Sequence, residues 1–238
     1  MLDSIQNLKR MDFFNRFSDR FLSDFLIHSE IIHIKNKETL FCEDTPIDKL
    51  YIILHGSFKI TKQSQNSFPV ALNFLGCGEF LGIALAGLTH PQYPATAIAL
   101  EDSTLIKFSR THFLDVMIKN EFVRLTINRQ IGERFLELEN DRCMENALCH
   151  QRVADLLVRL WERQGGQDRK IHIPLTRKDI AHRVGTKSET IIRILSNWEK
   201  QGIIQTSSKR IELLDTDKLK EIRTHKLMAS RKKSTKSS

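Results

Sequence analysis

Apolar positions follow different spacings in successive parts of this chain. Over residues 1–24 they recur at helical spacing, which predicts an N-terminal helix. Between Ile31 and Phe108 they form short runs separated by turn residues such as Gly56 and Gly78, which is typical of β structure. The runs with strand character are 31–34, 50–54, 58–60, 70–74, 95–100 and 104–108. Short strands at this spacing predict a sandwich or barrel.

The helical spacing returns after the last of these strands. Thr111 is a candidate cap for a short helix ending at Lys119, and a long helix is predicted from Glu121 to about Cys143. One face of the long helix carries an apolar stripe made of Ile127, Ile131, Phe135 and Leu138. The stripe packs either against the chain's own β module or in a two-stranded coiled coil with a second copy. We favour the coiled coil, which makes the stripe a dimer interface.

The segment 150–213 has the pattern of a winged helix-turn-helix. A helix over 151–162 and a short strand over 171–174 come first. Thr176 then caps a second helix that ends near Val184. Gly185 provides the turn into a third helix, which we expect to end at Gly202.

The third helix is predicted to have two different faces. Thr186 and Glu189 fit a capping box at its beginning. The residues that cluster on the expected core face are Ile191, Ile194, Leu195 and Trp198. The residues on the opposite face are Ser188, Glu189, Ile192 and Arg193. A polar and basic face near the beginning of such a helix is what the DNA major groove accepts.

Each residue on that face suggests a contact with DNA. Arg193 suits guanine, Glu189 suits the cytosine amino group, and Ile192 can press on a thymine methyl group. Beyond Gly202, strands over 203–205 and 210–214 predict a hairpin wing, whose tip can contact phosphates. The predicted DNA-binding residues are Thr176, Arg177, Thr186, Lys187, Ser188, Glu189, Ile192, Arg193, Ser208 and Lys209. The alternative for Glu189 and Arg193 is a surface ion pair within the helix.

The distribution of charge supports a polyanionic partner for the C-terminal part. Residues 147–238 hold 21 Lys and Arg against 10 Asp and Glu, whereas residues 1–146 hold 16 against 19. Double-stranded DNA is the partner that this asymmetry and the helix pattern favour together. The basic tail over 226–238 is typical of a solvated, disordered terminus.

Composition argues against several other classes of protein. Apolar runs are too short for a membrane span, and residues 1–20 lack the apolar core of a signal peptide, so we expect a cytoplasmic protein without a membrane partner. The four cysteines are widely spaced, and no His pair has the spacing of a metal motif. We therefore expect no metal site and no enzymatic activity.

Several motifs resemble those of the CRP/FNR family of bacterial transcription regulators. The sequence of Ile180–Leu195, IAHRVGTKSETIIRIL, resembles the family pattern I-A-x-x-V-G-x-x-x-E-T-V-x-R-x-L. Gln151–Leu157 is similar to the first helix of the family's DNA domain. Leu50–Gly56 and Gly78–Gly82 are similar to its β-roll motifs. The resemblance extends along nearly the whole chain to about residue 222.

The resemblance implies a fold and a mode of action. The fold is α+β, with an N-terminal β-roll of the cyclic-nucleotide-binding jelly-roll type, a long dimerisation helix and a C-terminal winged helix-turn-helix. The implied domains are 1–118, 119–146 and 147–225, followed by the tail 226–238. In the family, homodimers bind palindromes, the residues matching Glu189 and Arg193 read a TGA…TCA core, and RNA polymerase is a partner.

The chain departs from the family pattern where effectors bind. Members that bind cyclic AMP have Glu where this chain has Ile83, and an Arg-Ser pair where it has Pro94 and Ala95. Their Thr-Ser pair on the long helix falls near Glu137–Leu138. Members with an iron–sulfur cluster use an N-terminal cysteine series, and residues 1–41 contain no Cys. We therefore expect neither effector.

Other roles for the β-roll stay open. The candidate pocket for a different small-molecule effector consists of Gly82, Ile83, Ala84, Pro94, Ala95 and Thr96. The alternatives are a sensor of a cyclic nucleotide or haem that switches DNA binding, a regulator controlled by its abundance, and a cupin-like β-roll enzyme. The enzyme would require His and carboxylate ligands grouped on the strands, and the sequence lacks that grouping.

Overall fold

A computed structural model describes residues 6, 8–9, 14–63, 70–115, 117–144, 146–166 and 168–224 of the chain. The chain divides into two units, Met1–Glu137 and Leu138–Ser238. The predicted tail over 226–238 lies outside the described residues. In the part of the chain that is described, no helix has both the length and the hydropathy needed to cross a membrane.

The first unit contains helix α1, Asp19–Ile27, and residues 6, 8 and 9 before it are also helical. The Ser18 side chain caps this helix by accepting a hydrogen bond from Phe21 N at 3.2 Å. Phe25 is buried and packs edge-on against Phe108, with 5.4 Å between the ring centroids. The helix therefore seals one side of the β-roll core.

Two four-stranded antiparallel sheets form the β-roll. Their strand orders are β1-β8-β3-β6 and β2-β7-β4-β5. The strands are β1 Ser29–Ile34, β2 Thr39–Phe41, β3 Lys49–His55, β4 Phe58–Lys62, β5 Val70–Leu75, β6 Phe80–Leu81, β7 Thr96–Ala99 and β8 Ser103–Ser109. The turn between β3 and β4 requires glycine, because Gly56 has φ +91° and a Cβ atom there would collide with Ser103.

Helices continue the first unit beyond the sheets. Helix α2 is Arg110–Asp115, a 3₁₀ turn covers Met117–Lys119, and the long helix α3 is Glu121–Met144, whose residues from Leu138 onward belong to the second unit. Ser109 caps α2 by accepting a hydrogen bond from His112 N at 3.0 Å.

The second unit contains a helix-turn-helix and a small antiparallel sheet. Its elements are α4 Cys149–Arg163, β9 Lys170–Ile171, α5 Arg177–Val184, α6 Ser188–Lys200, β10 Ile204–Ser207 and β11 Arg210–Leu213, and residues 216–224 are also helical. The sheet has the order β10-β11-β9, with Ile211 of β11 opposite Ile171 of β9. Buried residues from the three helices and the sheet, including Leu157, Ile180 and Ile191, form its core.

The predicted α+β architecture is confirmed, and each of the six predicted strands is present. The helical spacing predicted over 1–24 is confirmed in part: residues 6, 8 and 9 and the first residues of α1 are helical, residues 14–18 are not, and Ile5 and Phe13 fall outside the described residues. Two local predictions were wrong. Thr111 lies inside α2, so it is not the cap. The strand predicted over 171–174 consists only of Lys170–Ile171.

Candidate nucleic-acid interface

Reciprocal hydrogen bonds between Thr176 and Asp179 begin helix α5. Thr176 Oγ1 accepts from Asp179 N at 3.1 Å, and Asp179 Oδ2 accepts from Thr176 N at 3.2 Å. The Thr176 hydroxyl also donates to Asp179 Oδ2 at 2.5 Å. The predicted cap is confirmed, and it engages the Thr176 hydroxyl within the protein.

The turn into helix α6 is formed as the sequence predicts, but the cap of this helix is not. Gly185 has φ +68°, in the left-handed region that glycine adopts at low cost. The predicted capping box was wrong because α6 begins at Ser188. Lys187 occupies the cap position and makes no side-chain cap hydrogen bond, so neither Thr186 nor Glu189 has the spacing that the box requires.

Helix α6 has the two faces that its sequence predicts. On the inner face Ile191, Leu195 and Trp198 are buried, and Ile194 is half-buried. On the outer face Glu189, Ile192 and Arg193 are exposed, and Ser188 is half-buried. Ile192 is 51 % exposed although it adjoins the fully buried Ile191. Arg193 is therefore accessible from solvent within its own unit, which contact with base pairs requires.

The wing is a tight β-hairpin. Strands β10 and β11 pair through Ser207 and Arg210, and the turn contains only Ser208 and Lys209. Both turn residues have positive φ, +46° and +70°, which is the geometry of a type I′ turn. Both are also exposed, so the wing presents a hydroxyl and an ammonium group at its tip. The tip is shorter than residues 206–209, which the predicted strands over 203–205 and 210–214 left between them.

Thr206 connects the beginning of α5 to the end of α6. Its hydroxyl accepts a hydrogen bond from Arg177 Nη2 at 2.8 Å and donates to Glu199 Oε1 at 2.6 Å. Thr206 N also donates to Glu199 Oε1, at 2.9 Å. These bonds hold the wing beside both helices, and they direct the half-buried Arg177 toward the wing.

Further polar residues lie on the same exposed surface as the predicted ones. Ser196 and Lys200 continue the outer face of α6, one and two turns beyond Ile192, and both are exposed. Lys178 is exposed in the first turn of α5. The helical spacing that identified Glu189 and Arg193 would also have identified Ser196 and Lys200.

An ionic cluster centred on Asp141 supports the helix-turn-helix. Its carboxylate oxygens lie 2.8 Å from Arg159 Nη2 and 2.7 Å from Arg183 Nη2. Arg159 also pairs with Asp155 at 2.7 Å, and Asn140 Nδ2 donates to the same carboxylate at 3.2 Å. Burial raises the pKa of Asp155, although Arg159 and Asn140 act in the opposite direction. The cluster joins the end of α3 to α4 and α5.

The six candidate effector positions of the β-roll differ in how far the protein itself fills them. Gly82 has φ +84°, and a Cβ atom there would lie 3.1 Å from the ring of Tyr93. Ile83 belongs to the hydrophobic core, and Ala95 is also buried. Ala84 is exposed. Buried apolar groups therefore fill two of the six positions.

Tyr93 also fills space beside Gly82. Its ring stacks on Phe41 with 3.7 Å between centroids, and its hydroxyl donates to Lys49 O at 2.5 Å. Burial raises the pKa of Tyr93 above its ordinary value. The ring therefore acts as a neutral, space-filling group at physiological pH.

An ion pair borders the other candidate effector positions. Lys62 Nζ lies 3.0 Å from Glu43 Oε1 and donates to Pro94 O at 3.3 Å. Thr96 Oγ1 accepts a hydrogen bond from Glu43 N at 3.0 Å. An anionic phosphate at this edge would meet the Glu43 carboxylate, and Lys62, which contacts Pro94 O, is already paired with that carboxylate.

The four residues of the predicted dimer stripe have different surroundings. Ile127 lies in the core of the first unit and is 6 % exposed. The exposed large apolar residues of α3 are Leu125, Ile131, Phe135, Leu136 and Leu138. Three of the four stripe residues are therefore exposed, and Leu125 and Leu136 are exposed apolar residues of α3 outside the predicted stripe.

Comparison with known proteins agrees with this geometry. Residues 151–222 match the family model of the Crp-like helix-turn-helix domain, and residues 31–120 match that of the cyclic nucleotide-binding domain. The transcriptional regulatory protein btr of Bordetella pertussis is 25% identical over 201 residues, 81% of each chain. The fumarate and nitrate reduction regulatory protein of Escherichia coli K12 is 26% identical over 199 residues, 81% of this chain and 78% of that protein.

A solved structure shows the same fold. FixK2 from Bradyrhizobium japonicum aligns with a TM-score of 0.70 at 19% identity, over 82% of this chain and 96% of that one. The two family models together account for most of the chain, and the curated relatives are regulators of one type. The chain therefore belongs to the CRP/FNR family of transcription regulators.

Proposed function

We propose that this regulator binds, as a homodimer, a palindromic DNA site with a TGA…TCA-like core, and that α6 enters the major groove. The observation that carries the proposal is the outer face of α6, where Glu189, Ile192 and Arg193 are exposed at the beginning of a helix whose other face is buried. A rigid helix with accessible polar and apolar groups at this end is suited to reading base edges.

We assign a contact with DNA to each residue on that face. Arg193 donates two hydrogen bonds to guanine, Glu189 accepts from a cytosine amino group, and Ile192 contacts a thymine methyl group. Ser196 lies one turn beyond Ile192 and reaches either a base or the adjacent phosphate. Ser188 approaches the same groove at the first turn of α6.

Phosphate contacts surround the reading helix. Lys187 and the uncapped first turn of α6 suit one phosphate, since helix N-termini present free N–H groups and positive potential. Ser208 and Lys209 of the wing suit a second phosphate. Thr186, which precedes Lys187, lies near the first phosphate. We assign Thr176 and Arg177 to positioning, because their polar groups are engaged with Asp179 and Thr206.

The proposed dimer forms along α3. Ile131, Phe135 and Leu138 are each more than 40 % exposed, and they lie on one side of the helix. Exposed apolar groups at this spacing gain from packing against the same helix of a second copy. A two-fold axis there would present two copies of α6 to the two halves of a palindrome.

We propose that the β-roll does not bind cyclic AMP and that any small-molecule effector of this chain is a different ligand. Ile83 offers no acceptor for a ribose hydroxyl, and the Glu43 carboxylate is paired with Lys62 beside Pro94 and Thr96, where an anionic group would be repelled. We likewise propose no iron–sulfur cluster, because residues 1–41 contain no Cys. Family membership supports action in the cytoplasm, contact with RNA polymerase and the absence of a catalytic role.

Selection of bound duplexes from a random pool, with purified full-length chain, tests the proposal directly. We expect a palindrome containing TGA…TCA. Arg193→Ala should reduce the difference in binding free energy between this site and a scrambled duplex by about 1–3 kcal/mol, because one bidentate base contact is lost.

The matched control is Arg169→Ala, which removes an exposed arginine near β9, at the opposite edge of the sheet from β10. Its discrimination should equal that of the wild type. Undiminished discrimination in the Arg193→Ala variant would contradict the proposed role of α6. Isothermal titration with cyclic AMP should give no saturable heat. Saturable binding would contradict the proposal that the β-roll does not bind cyclic AMP.

A further inference from the structure

Helices α1 and α2 bring together three side chains that can ligate a metal ion. Asp24 and His28 lie four residues apart on α1 and its C-cap, and His112 lies on α2. The two imidazole rings are nearly parallel, with centroids 4.5 Å apart and an interplanar angle of 16°. One ring nitrogen of each histidine and one Asp24 carboxylate oxygen all lie within 4.8 Å of one another.

The protein leaves part of this cluster without internal hydrogen bonds. Among the described residues, His112 Nε2 is buried and has no hydrogen-bond partner. His28 Nδ1 lies 2.9 Å from Asp24 O and 3.8 Å from the Asp24 carboxylate. The His28 and Asp24 side chains are about half exposed, so an ion can reach them from solvent.

We propose that Asp24, His28 and His112 form a binding site for a divalent transition-metal ion of the zinc class. Two imidazoles and a carboxylate suit Zn²⁺, Co²⁺ and Ni²⁺, whereas Ca²⁺ and Mg²⁺ prefer sites made of oxygen ligands only. Tetrahedral ligand atoms around zinc lie roughly 3.4 Å apart and an imidazole nitrogen binds in its ring plane, so the exposed His28 ring must rotate out of its stacked position, together with Asp24, to complete the set. Asp115, three residues beyond His112, or water can complete the coordination.

The position of the site gives the ion a physical effect. It joins α1 to α2, and α2 leads through the 3₁₀ turn into the long helix α3. An ion that binds only the folded first unit stabilises it by linkage, and the melting temperature rises with metal concentration. This inference does not depend on the proposed DNA site, because both helices lie in the first unit.

The test uses the untagged full-length chain after removal of metal by a chelator and dialysis. Co²⁺ is titrated while its visible d–d absorption is recorded, and Zn²⁺ binding is measured by calorimetry. We expect one ion per chain, tetrahedral Co²⁺ absorption, and a melting temperature that rises with Zn²⁺. His28→Gln and His112→Gln should each weaken binding at least about tenfold, because each removes one of three protein ligands.

The matched control is His90→Asn, which removes an exposed histidine elsewhere in the first unit, and its metal affinity should be unchanged. Circular dichroism of metal-free protein establishes that each variant is folded, and the exposed His28 provides a second test should His112→Gln disturb packing. Absence of saturable binding to the wild type overturns the proposal. Equal affinity of the wild type and both folded histidine variants overturns it too.

Discussion

The two units of the chain differ in where they place their chemically useful side chains. In the helix-turn-helix unit, Glu189, Ile192 and Arg193 project from a helix whose opposite face is buried. In the β-roll, Ile83 and Ala95 occupy positions at which cyclic-AMP-binding relatives have polar groups, and both are buried. A partner can therefore reach the exposed residues of α6 without repacking, whereas a ligand at Ile83 and Ala95 would have to displace packed apolar groups.

The largest expected effect concerns two neighbouring isoleucines of α6, each replaced by alanine in a separate variant. Ile191→Ala should lower the free energy of unfolding of the second unit by about 2–5 kcal/mol, because Ile191 is fully buried and a cavity would remain. Ile192→Ala should change it by less than about 0.5 kcal/mol, since Ile192 is half exposed. Chemical denaturation measures both values.

The two substitutions should affect sequence-specific DNA binding in the opposite order, with the larger effect in Ile192→Ala, when folded proteins are compared. Ile192→Ala should weaken binding to the selected palindrome more than to a scrambled duplex, whereas Ile191→Ala should affect both alike at a temperature where it remains folded. Equal destabilisation by the two substitutions would contradict the assignment of the two faces.

The ionic cluster beneath α5 is expected to have the next largest effect. Asp141→Asn replaces a carboxylate that pairs with Arg159 and Arg183, and should cost the second unit about 1–3 kcal/mol, because two poorly exposed guanidinium groups lose a charged partner. Thermal and urea unfolding measure the loss. Asp217→Asn, at an exposed site in the same unit, serves as the control and should be close to wild type.

The smallest predicted effect contrasts two strained turns, one in each unit. Lys209 and Lys37 both have φ +70°, so replacing either by glycine should relieve strain and stabilise its unit by about 0.5 kcal/mol. Lys209→Gly should also weaken DNA binding and reduce its salt dependence by about one unit of slope, through loss of a phosphate contact. Lys37→Gly should leave both unchanged, and a matching loss in this variant would exclude the wing as the cause.

Local patterns were sufficient for much of the second unit. The helical spacing of Ile191, Leu195 and Trp198 identified the buried face of α6, and Gly185 marked the turn before it. Such signals act within a few residues, where backbone geometry fixes which side chains share a face. The cap of α6 was mispredicted because a shift of one residue at a helix end changes the local hydrogen bonds without changing the apolar pattern.

In the first unit, short elements escaped prediction for a related reason. Strands β2 and β6 have three and two residues, which is too short for an alternating pattern to be visible. Their existence depends on partners elsewhere in the chain, β7 for one and β3 for the other. Burial of Ile127 in its own core likewise depends on what packs against α3.

The sequence alone was sufficient for the family resemblance, the longer strands and helices, and the outward face of the reading helix, since each depends on neighbours along the chain. Only the tertiary structure decided that Thr206 connects Arg177 to Glu199, and that His112 stacks on His28. Residues that are distant in sequence meet only when the chain packs, and no periodicity or motif records the distance between them. The proposed metal site is therefore a property of the fold, which the spacing of the histidines along the chain could not indicate.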